Sequence, residues 1–521
     1  MSTMQIIAIL DCGGQQTKIA DRKIREMGVR TEIYAINVDT EKLLNAAGII
    51  ISGRADEKFI QVISNMPTLR IDSDMEPCDK ELEKFISETC GIKDRYTIED
   101  TIKTSVGHIK NQVGDNKVIV LLSGGVDSAV TAALLLKALD ADNIYAIHID
   151  HGFMRKNESD TVCEGLKRLG LKHLKHINAK DAFFNRTIEF EGRTIGPITE
   201  LVDPEEKRNI IGTVFIQIVH ETAKELNLDL DKTFIAQGTL RPDLIESGNP
   251  LVGSSGKKVK THHNDVSIVR KAREKGLIVE TNWDWYKDEV RKVGRILGLE
   301  PEVTEREPFP GPGLCVRLLC NDNTEKLSDA EINAFAKAME GSNLTGKLLP
   351  LRSVGVKNDS RSYGHLAFFH GDISSFNWGE TCALSQKVTD QVETVNRTAY
   401  IVSDISEADV QKLSCKPMCI NDENVALLRE IDHMVTGTLR NNKISQTFCV
   451  LLPVGLEKPY SIAIRTFVTG DFMTGRAGII GEEVSLDALK SLADDIIAKF
   501  DEVEVVVYDV TGKPPGTCEW E

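Results

Sequence analysis

Runs of apolar residues and the polar gaps between them divide the chain into three zones. The first opens on an apolar strand, Gln5 to Leu10, followed by Asp11-Cys12-Gly13-Gly14 and a helical stretch to Met27. Thr31 to Ile36 and Gly48 to Ser52 read as further buried strands, an α/β alternation. The pattern then thins into polar sequence around Asp72 to Lys80. A charged helical segment, Asp79 to Glu88, and a linker near Gly91 to Tyr96 end the zone. In the second zone Val118 to Leu122 is a continuous β-branched and leucine run, the pattern of a strand buried on both faces. Ser128 to Leu139 is alanine- and leucine-rich and helical, and Ile144 to Ile149 is the next strand. Strand–helix–strand at this spacing predicts a parallel pair with a right-handed crossover. Asp203-Pro204-Glu205-Glu206 has the form of a helix start: a capping Asp, Pro at the first position and acids in the first turn. That helix is expected to reach about Leu226, with Phe234 to Ala236 a strand beyond it.

The third zone mixes strand and helix patterning and contains an internal echo. Leu348-Leu349-Pro350 and Leu451-Leu452-Pro453 each open a strand-like segment, running to Phe368 and Phe467. Two related α+β units, duplicated near 348–369 and 450–467, are the expectation. The domain boundaries that follow are 1–95, 96–303 and 304–521. At 521 residues, and roughly 100–200 residues per domain, three domains also suit the length.

Composition narrows the function classes. The net charge of −16, from 79 acidic and 63 basic side chains, repels polyanions and argues against a nucleic-acid-coating role. A small nucleotide, which needs only a few local cations, is still allowed. The 11 cysteines are odd in number and scattered, as reduced thiols in a cytoplasmic protein are. Cys415 and Cys419 form the closest pair, and no second pair answers them at zinc spacing. No apolar run approaches the ~20 residues of a membrane span, so no membrane partner is expected.

The chemistry centres on Ser123-Gly124-Gly125-Val126-Asp127-Ser128, which follows a buried strand and opens a helix. Backbone N–H groups freed at a helix start, bent by two glycines, make an anion cradle. The Ser123 and Ser128 hydroxyls add donors, and Asp127 is placed to bind the magnesium that accompanies phosphates. No Gly-Lys-Ser/Thr ends the loop, so it is not a Walker A loop. It suits release of a whole pyrophosphate, not transfer of a γ-phosphoryl group.

The string resembles the signature of the N-type ATP pyrophosphatases, and four further strings resemble the GMP synthetases among them. These are Ala236 to Ser247, Lys260-Thr261-His262-His263-Asn264, Pro308 to Leu314, and the terminus Gly512 to Glu521. The likeness covers about Asn116 to Glu521, and the doubled C-terminal unit is similar to the longer, eukaryotic-type members. The fold it implies is a parallel-sheet ATP-pyrophosphatase domain with a C-terminal α+β domain that binds XMP and often serves dimer contacts. The reaction it implies is ATP-dependent amination of XMP to GMP through an adenyl-XMP intermediate. By the same likeness Arg208, Asp359, Gln446, Lys513 and Glu519 are the expected XMP-binding residues, with the tail folded over the nucleotide. Lys260 is expected to neutralise charge on the leaving pyrophosphate. Asp243 and Glu246 are candidate partners for magnesium or ribose. His262 and His263, adjacent in an extended segment, point to opposite faces and cannot chelate one metal; one packs while the other, or Lys260, approaches the phosphates.

Two departures stand out. Family members usually make ammonia in an N-terminal class I glutaminase, and Ile6 to Gly14, Gly48 to Gly53 and the segment leading to Cys90 resemble parts of one. The middle is absent: there is no Gly-x-Cys-x-Gly elbow and no His-Pro-Glu partner, and the region reads Arg70-Ile71-Asp72-Ser73-Asp74. A cysteine nucleophile needs an adjacent base, yet no histidine precedes His108. Cys12, Cys78 and Cys90 therefore have none locally. The expectation is a truncated, inactive glutaminase-like domain, with nitrogen from free ammonia or a separate glutaminase subunit. The second departure is His151, in Asp150-His151-Gly152-Phe153, where asparagine is more usual.

Overall fold

The computed structural model describes residues 5–12, 16–35, 38–53, 63, 65–71, 77–246, 253–254, 267–357, 360–373, 376–470 and 474–521. The chain folds into two compact units, each built from several stretches. One comprises Met1–His148, Val162–His176 and Glu221–Arg306; the other comprises Ile149–Thr161, Ile177–His220 and Glu307–Glu521.

The N-terminal part of the first unit is a parallel sheet with helices against it. Its elements are β1 (Ile6–Cys12), α1 (Gln16–Glu26), β2 (Arg30–Ala35), β3 (Ala46–Gly53), β4 (Thr68–Ile71) and α2 (Asp79–Lys84). β1 is the centre, with β2 on one side and β3 then β4 on the other, every pairing parallel. The polar stretch after Gly53 thus ends in a strand that the hydropathy pattern missed, because β4 lies at the sheet edge and is partly exposed. α2 stops at Lys84, earlier than the charged pattern suggested, and passes into a π turn over Phe85–Thr89.

The nucleotide-type sheet follows. α3 (Ile98–Val113) starts on a reciprocal capping box between Thr97 and Asp100. Then come β5 (Val118–Leu121), α4 (Val126–Ala138), β6 (Ile144–Asp150), α5 (Glu158–Arg168), β7 (His173–Asn178) and α6 (Pro204–Glu225). α6 begins where expected: the Asp203 carboxylate accepts from the Glu205 and Glu206 amides, both at 2.9 Å. Beyond it lie β8 (Phe234–Gln237), α7 (Arg241–Glu246), β9 (Gly253–Ser254), α8 (Ser267–Glu274), β10 (Ile278–Glu280) and α9 (Lys287–Ile296). The sheet order is β10-β8-β5-β6-β7, with β8 and β6 parallel to the central β5. Val118, Val120, Leu134 and Val290 are buried in its core. β9, although it follows α7, pairs parallel with β2 and becomes the fifth strand of the N-terminal sheet.

The two sheets of this unit are joined through buried charge. Asp21 of α1 accepts two bonds of 2.9 Å from the Arg241 guanidinium and one of 2.6 Å from the Tyr286 hydroxyl. Arg241 also reaches Asp284, which pairs with Arg25 at 2.8 Å. Leu244 and Ile245 of α7 complete the N-terminal core beside Ile24 and Ile33.

The second unit contains one large mixed sheet. Its elements are α10 (Asp329–Met339), β11 (Thr345–Lys357), β12 (Ser360–His370), α11 (Trp378–Gln391) and β13 (Val395–Ile401). Then come α12 (Asp422–Leu439), β14 (Gln446–Leu452), β15 (Tyr460–Val468), α13 (Leu486–Lys499) and β16 (Val503–Asp509). The strand order β11-β12-β13-β16-β15-β14 divides into two halves of the same αββαβ order. In each half the first two strands are antiparallel and the second and third parallel. The halves meet at the antiparallel pair β13 and β16.

Candidate active site

The Ser123–Ser128 loop sits where β5 ends. Gly124 has φ +83°, and a Cβ there would lie 2.6 Å from Val162 Cγ2, so only glycine fits. The helix begins at Val126, with Gly125 as its cap, two residues earlier than the pattern of apolar side chains indicated. Asp127 therefore lies in the first turn, where the unsatisfied N–H groups of the helix end favour negative charge. The Ser128 hydroxyl donates to the Gly125 carbonyl at 2.9 Å. Arg306 holds the Gly124 carbonyl at 2.7 Å, and Asn282 holds that of Asp127 at 3.0 Å.

The Asp127 carboxylate is half-exposed. Its Oδ2 forms an ion pair with Lys287, while its Oδ1 meets no hydrogen-bond partner. A carboxylate in the first turn of a helix, with one oxygen unpartnered, offers the hard donor that a magnesium ion takes. The string opening at Ala236 touches this turn: a Cβ on Gly238 would lie 2.8 Å from Thr131 Oγ1 and 3.2 Å from the Asp127 carbonyl. That string then leaves the loop. Arg241 is buried against Asp21, and Asp243 is half-buried on α7, whose apolar face is spent on the N-terminal core.

In the other unit the C-terminal tail is ordered by the sheet it crosses. The Val356 amide donates to the Pro515 carbonyl and the Val354 amide to that of Trp520, both at 2.8 Å. Lys513 and Gly475 exchange backbone bonds of 2.8 and 3.2 Å. Trp520 is buried under the Arg397 guanidinium, 4.9 Å from its ring centre. The terminal Glu521 makes a buried ion pair with Lys207. Between these anchors Glu519 takes a bidentate pair from Arg317, at 2.9 and 3.0 Å. Gln446, first residue of β14, donates to Glu519 at 3.4 Å and to the Pro308 carbonyl at 3.2 Å. The Pro308 string is a corner with a purpose: Gly313 has φ +63°, and a Cβ would meet the Phe153 carbonyl at 2.3 Å. His151 caps the same turn, its Nδ1 accepting from the Phe153 amide at 3.0 Å.

Arg208 faces β12, where its guanidinium donates to Tyr363 at 3.0 Å and to Glu205 at 2.8 Å. Arg361 and the Tyr363 hydroxyl reach the same Glu205 oxygen, each at 2.8 Å. Burial raises the Glu205 pKa, but the Tyr363 bond and the two guanidinium groups outweigh it and hold it below the ordinary carboxylate range.

Comparison with known proteins identifies the family. Residues 433–520 match the GMP synthase C terminal domain family, and residues 97–201 match the NAD synthase family. A GMP synthase [glutamine-hydrolyzing] of Dictyostelium discoideum is 35% identical over 489 residues, covering 85% of this chain and 68% of that protein. The chain belongs to the GMP synthase family. A probable GMP synthase [glutamine-hydrolyzing] of Caenorhabditis elegans is 34% identical, with the same coverage of 85% and 68%. A putative GMP synthase [glutamine-hydrolyzing] 2 of Bacteroides thetaiotaomicron is 31% identical over 451 residues, covering 78% of this chain and 99% of that protein.

Within this GMP synthase framework the expected residues separate. Ser123, Gly124, Gly125, Val126, Asp127 and Ser128 lie together at one helix start, and Gln446 meets Glu519 on the tail that also carries Lys513. Lys260, His262, His263 and Asp359 lie outside the described residues, as does the side chain of Glu246. Sequence reasoning missed Lys287, Arg306 and Arg317. Lys287 did leave a signal: it occupies the first position of α9, ahead of Asp288 and Glu289, where the helix dipole disfavours a cation. Arg306 and Arg317 left none, because their partners are far away in sequence.

Proposed function

We propose that the chain makes GMP from XMP with ATP, and that it takes its nitrogen as ammonia. The 2-oxygen of XMP attacks the α-phosphorus of ATP, and pyrophosphate leaves into the cradle of α4 N–H groups and the Ser123 and Ser128 hydroxyls. Ammonia then displaces AMP from carbon 2. Asp127 would hold the magnesium, which neutralises phosphate charge when bound. Lys287 then exchanges the Asp127 carboxylate for the leaving pyrophosphate. Arg306 and Asn282 keep the loop from reorganising while charge moves, so catalysis is positioning plus fixed electrostatics. Arg208, Gln446, Lys513 and Glu519 are the proposed XMP contacts. The observation that carries the reading is the loop itself: a glycine-only turn, a helix start, and a carboxylate with one oxygen paired to lysine and one unused.

The nitrogen source rests on the N-terminal thiols. Burial raises the Cys90 thiol to about 11, and burial together with Asp11 raises that of Cys12. Both are thiols at neutral pH, and a thiol is a poor nucleophile. One assay tests both parts: AMP release from ATP and XMP, with ammonium or with glutamine as the only nitrogen source. We expect turnover with ammonium and none with glutamine. Turnover on glutamine alone by the purified chain would refute the ammonia-only reading, and no turnover on either would refute the synthetase reading.

A further inference from the structure

Three metal-ligating side chains converge beside the strand that leads into the loop. His148 lies on β6, Cys163 on α5 and His176 on β7, and one ring nitrogen of each histidine and the Cys163 Sγ lie within 4.8 Å of one another. His148 is 0% and Cys163 5% exposed, while His176 is exposed. The group thus has a buried floor and a solvent mouth. Among the described residues no other such group of three occurs.

The floor is built in the way metal-binding histidines are. His148 Nδ1 lies 2.7 Å from the Leu122 carbonyl oxygen. A carbonyl can only accept, so Nδ1 carries the proton and Nε2 is the lone-pair nitrogen of the neutral ring. A backbone carbonyl behind one ring nitrogen, fixing the tautomer for the other, is the outer-shell arrangement that orients a ligand histidine. The His176 ring is inclined at 43° to that of His148, with centres 5.4 Å apart, so the two rings are tilted and not stacked.

We propose that His148, Cys163 and His176 form a binding site for a borderline-soft divalent cation of the zinc class. Two imidazoles and a thiolate suit zinc and reject magnesium, which takes oxygen ligands. Zinc bonds of about 2.0–2.3 Å place tetrahedral ligand atoms roughly 3.3–3.7 Å apart. The three atoms, within 4.8 Å of one another, reach that spacing by side-chain adjustments of about 1 Å. On binding, the Cys163 S–H proton passes to solvent and a metal–sulfur bond forms, with no change of oxidation state. The fourth position, on the His176 side, is left to water. Leu122 directly precedes Ser123, so the metal, acting through His148, holds the strand end that feeds the pyrophosphate loop.

The test uses the full-length chain, freed of metal by chelation and titrated with cobalt(II) as the probe. A thiolate-to-cobalt charge-transfer band saturating at one equivalent is expected. It is expected to be displaced by zinc and unaffected by excess magnesium. Cys163→Ser should abolish the band, and His176→Asn should weaken cobalt affinity at least tenfold. Both variants should keep the parent's far-ultraviolet circular dichroism and its metal-free unfolding midpoint. If the buried serine disturbs folding, the exposed His176→Asn variant decides. Absence of the band, displacement by magnesium, a band that survives in folded Cys163→Ser, or an unchanged cobalt affinity in folded His176→Asn would overturn the site.

Discussion

Lys287 illustrates what a single side chain can reveal about its use. A lysine at the first position of α9 opposes the helix dipole, a placement that costs about 0.3–1 kcal/mol. Its return is the ion pair with Asp127, in which both partners are about one-third exposed, so the pair itself adds little to stability. Lys287→Ala is accordingly expected to leave urea stability unchanged or slightly higher. It should lower kcat for AMP release by about 10²–10³-fold, the scale of one lost charge-stabilising donor. A kcat within a factor of two of the parent would remove Lys287 from the mechanism. Glu519 tests the other site. Glu519→Gln breaks the bidentate pair with Arg317, which keeps Asp432 as a second acceptor at 3.5 Å. The expected outcome is a rise of about tenfold in KM for XMP with KM for ATP unchanged, read from steady-state kinetics with each substrate varied in turn.

At the scale of elements, α1 and α7 are tied by one carboxylate. Asp21 and Arg241 are 0% and 1% exposed, and removing one partner of a buried pair typically costs about 3–5 kcal/mol. Asp21→Ala should therefore lower unfolding free energy by that amount, measured in denaturant. The pH dependence follows from the same carboxyl. Burial raises its pKa, but Arg241, Arg25 and Thr31 outweigh it and hold it at about 2 against the usual 3.8. The folded chain keeps Asp21 ionised where the unfolded chain takes up a proton. Its contribution, on the order of 2 kcal/mol, is complete above about pH 4 and is lost as pH falls towards 2. The Asp21→Ala chain should lack this part of the acid limb.

These two elements also mark where the sequence stopped being readable. β5 and α4 could be read from residues alone, since a β-branched run, two glycines and an alanine-rich helix need no distant partner. α6 announced itself through Asp203 and Pro204. Arg241 was visible only as one letter of a string, because its partner Asp21 is 220 positions away. Local patterning holds no term for such a pairing. The same holds for Arg317 and Glu519, which are separated by 202 positions.

On the scale of the whole molecule, the second unit is a doubled αββαβ sheet, and its two halves do different work. The later half supplies Gln446 from β14, while the earlier half provides the strand β11 on which the tail lies. The first unit is similarly uneven. Its N-terminal sheet takes β9 as a strand, and Asp21 of the helix against that sheet is the counter-ion of Arg241. A sheet wired in this way cannot be shed. Expressed without residues 1–95, the remaining polypeptide would hold a guanidinium stripped of its bidentate partner and left with Asp284 alone at 3.4 Å, with Leu244 and Ile245 facing water. Supplying that segment in trans as a separate peptide should restore soluble protein, a complementation in which the missing segment returns as a folding partner.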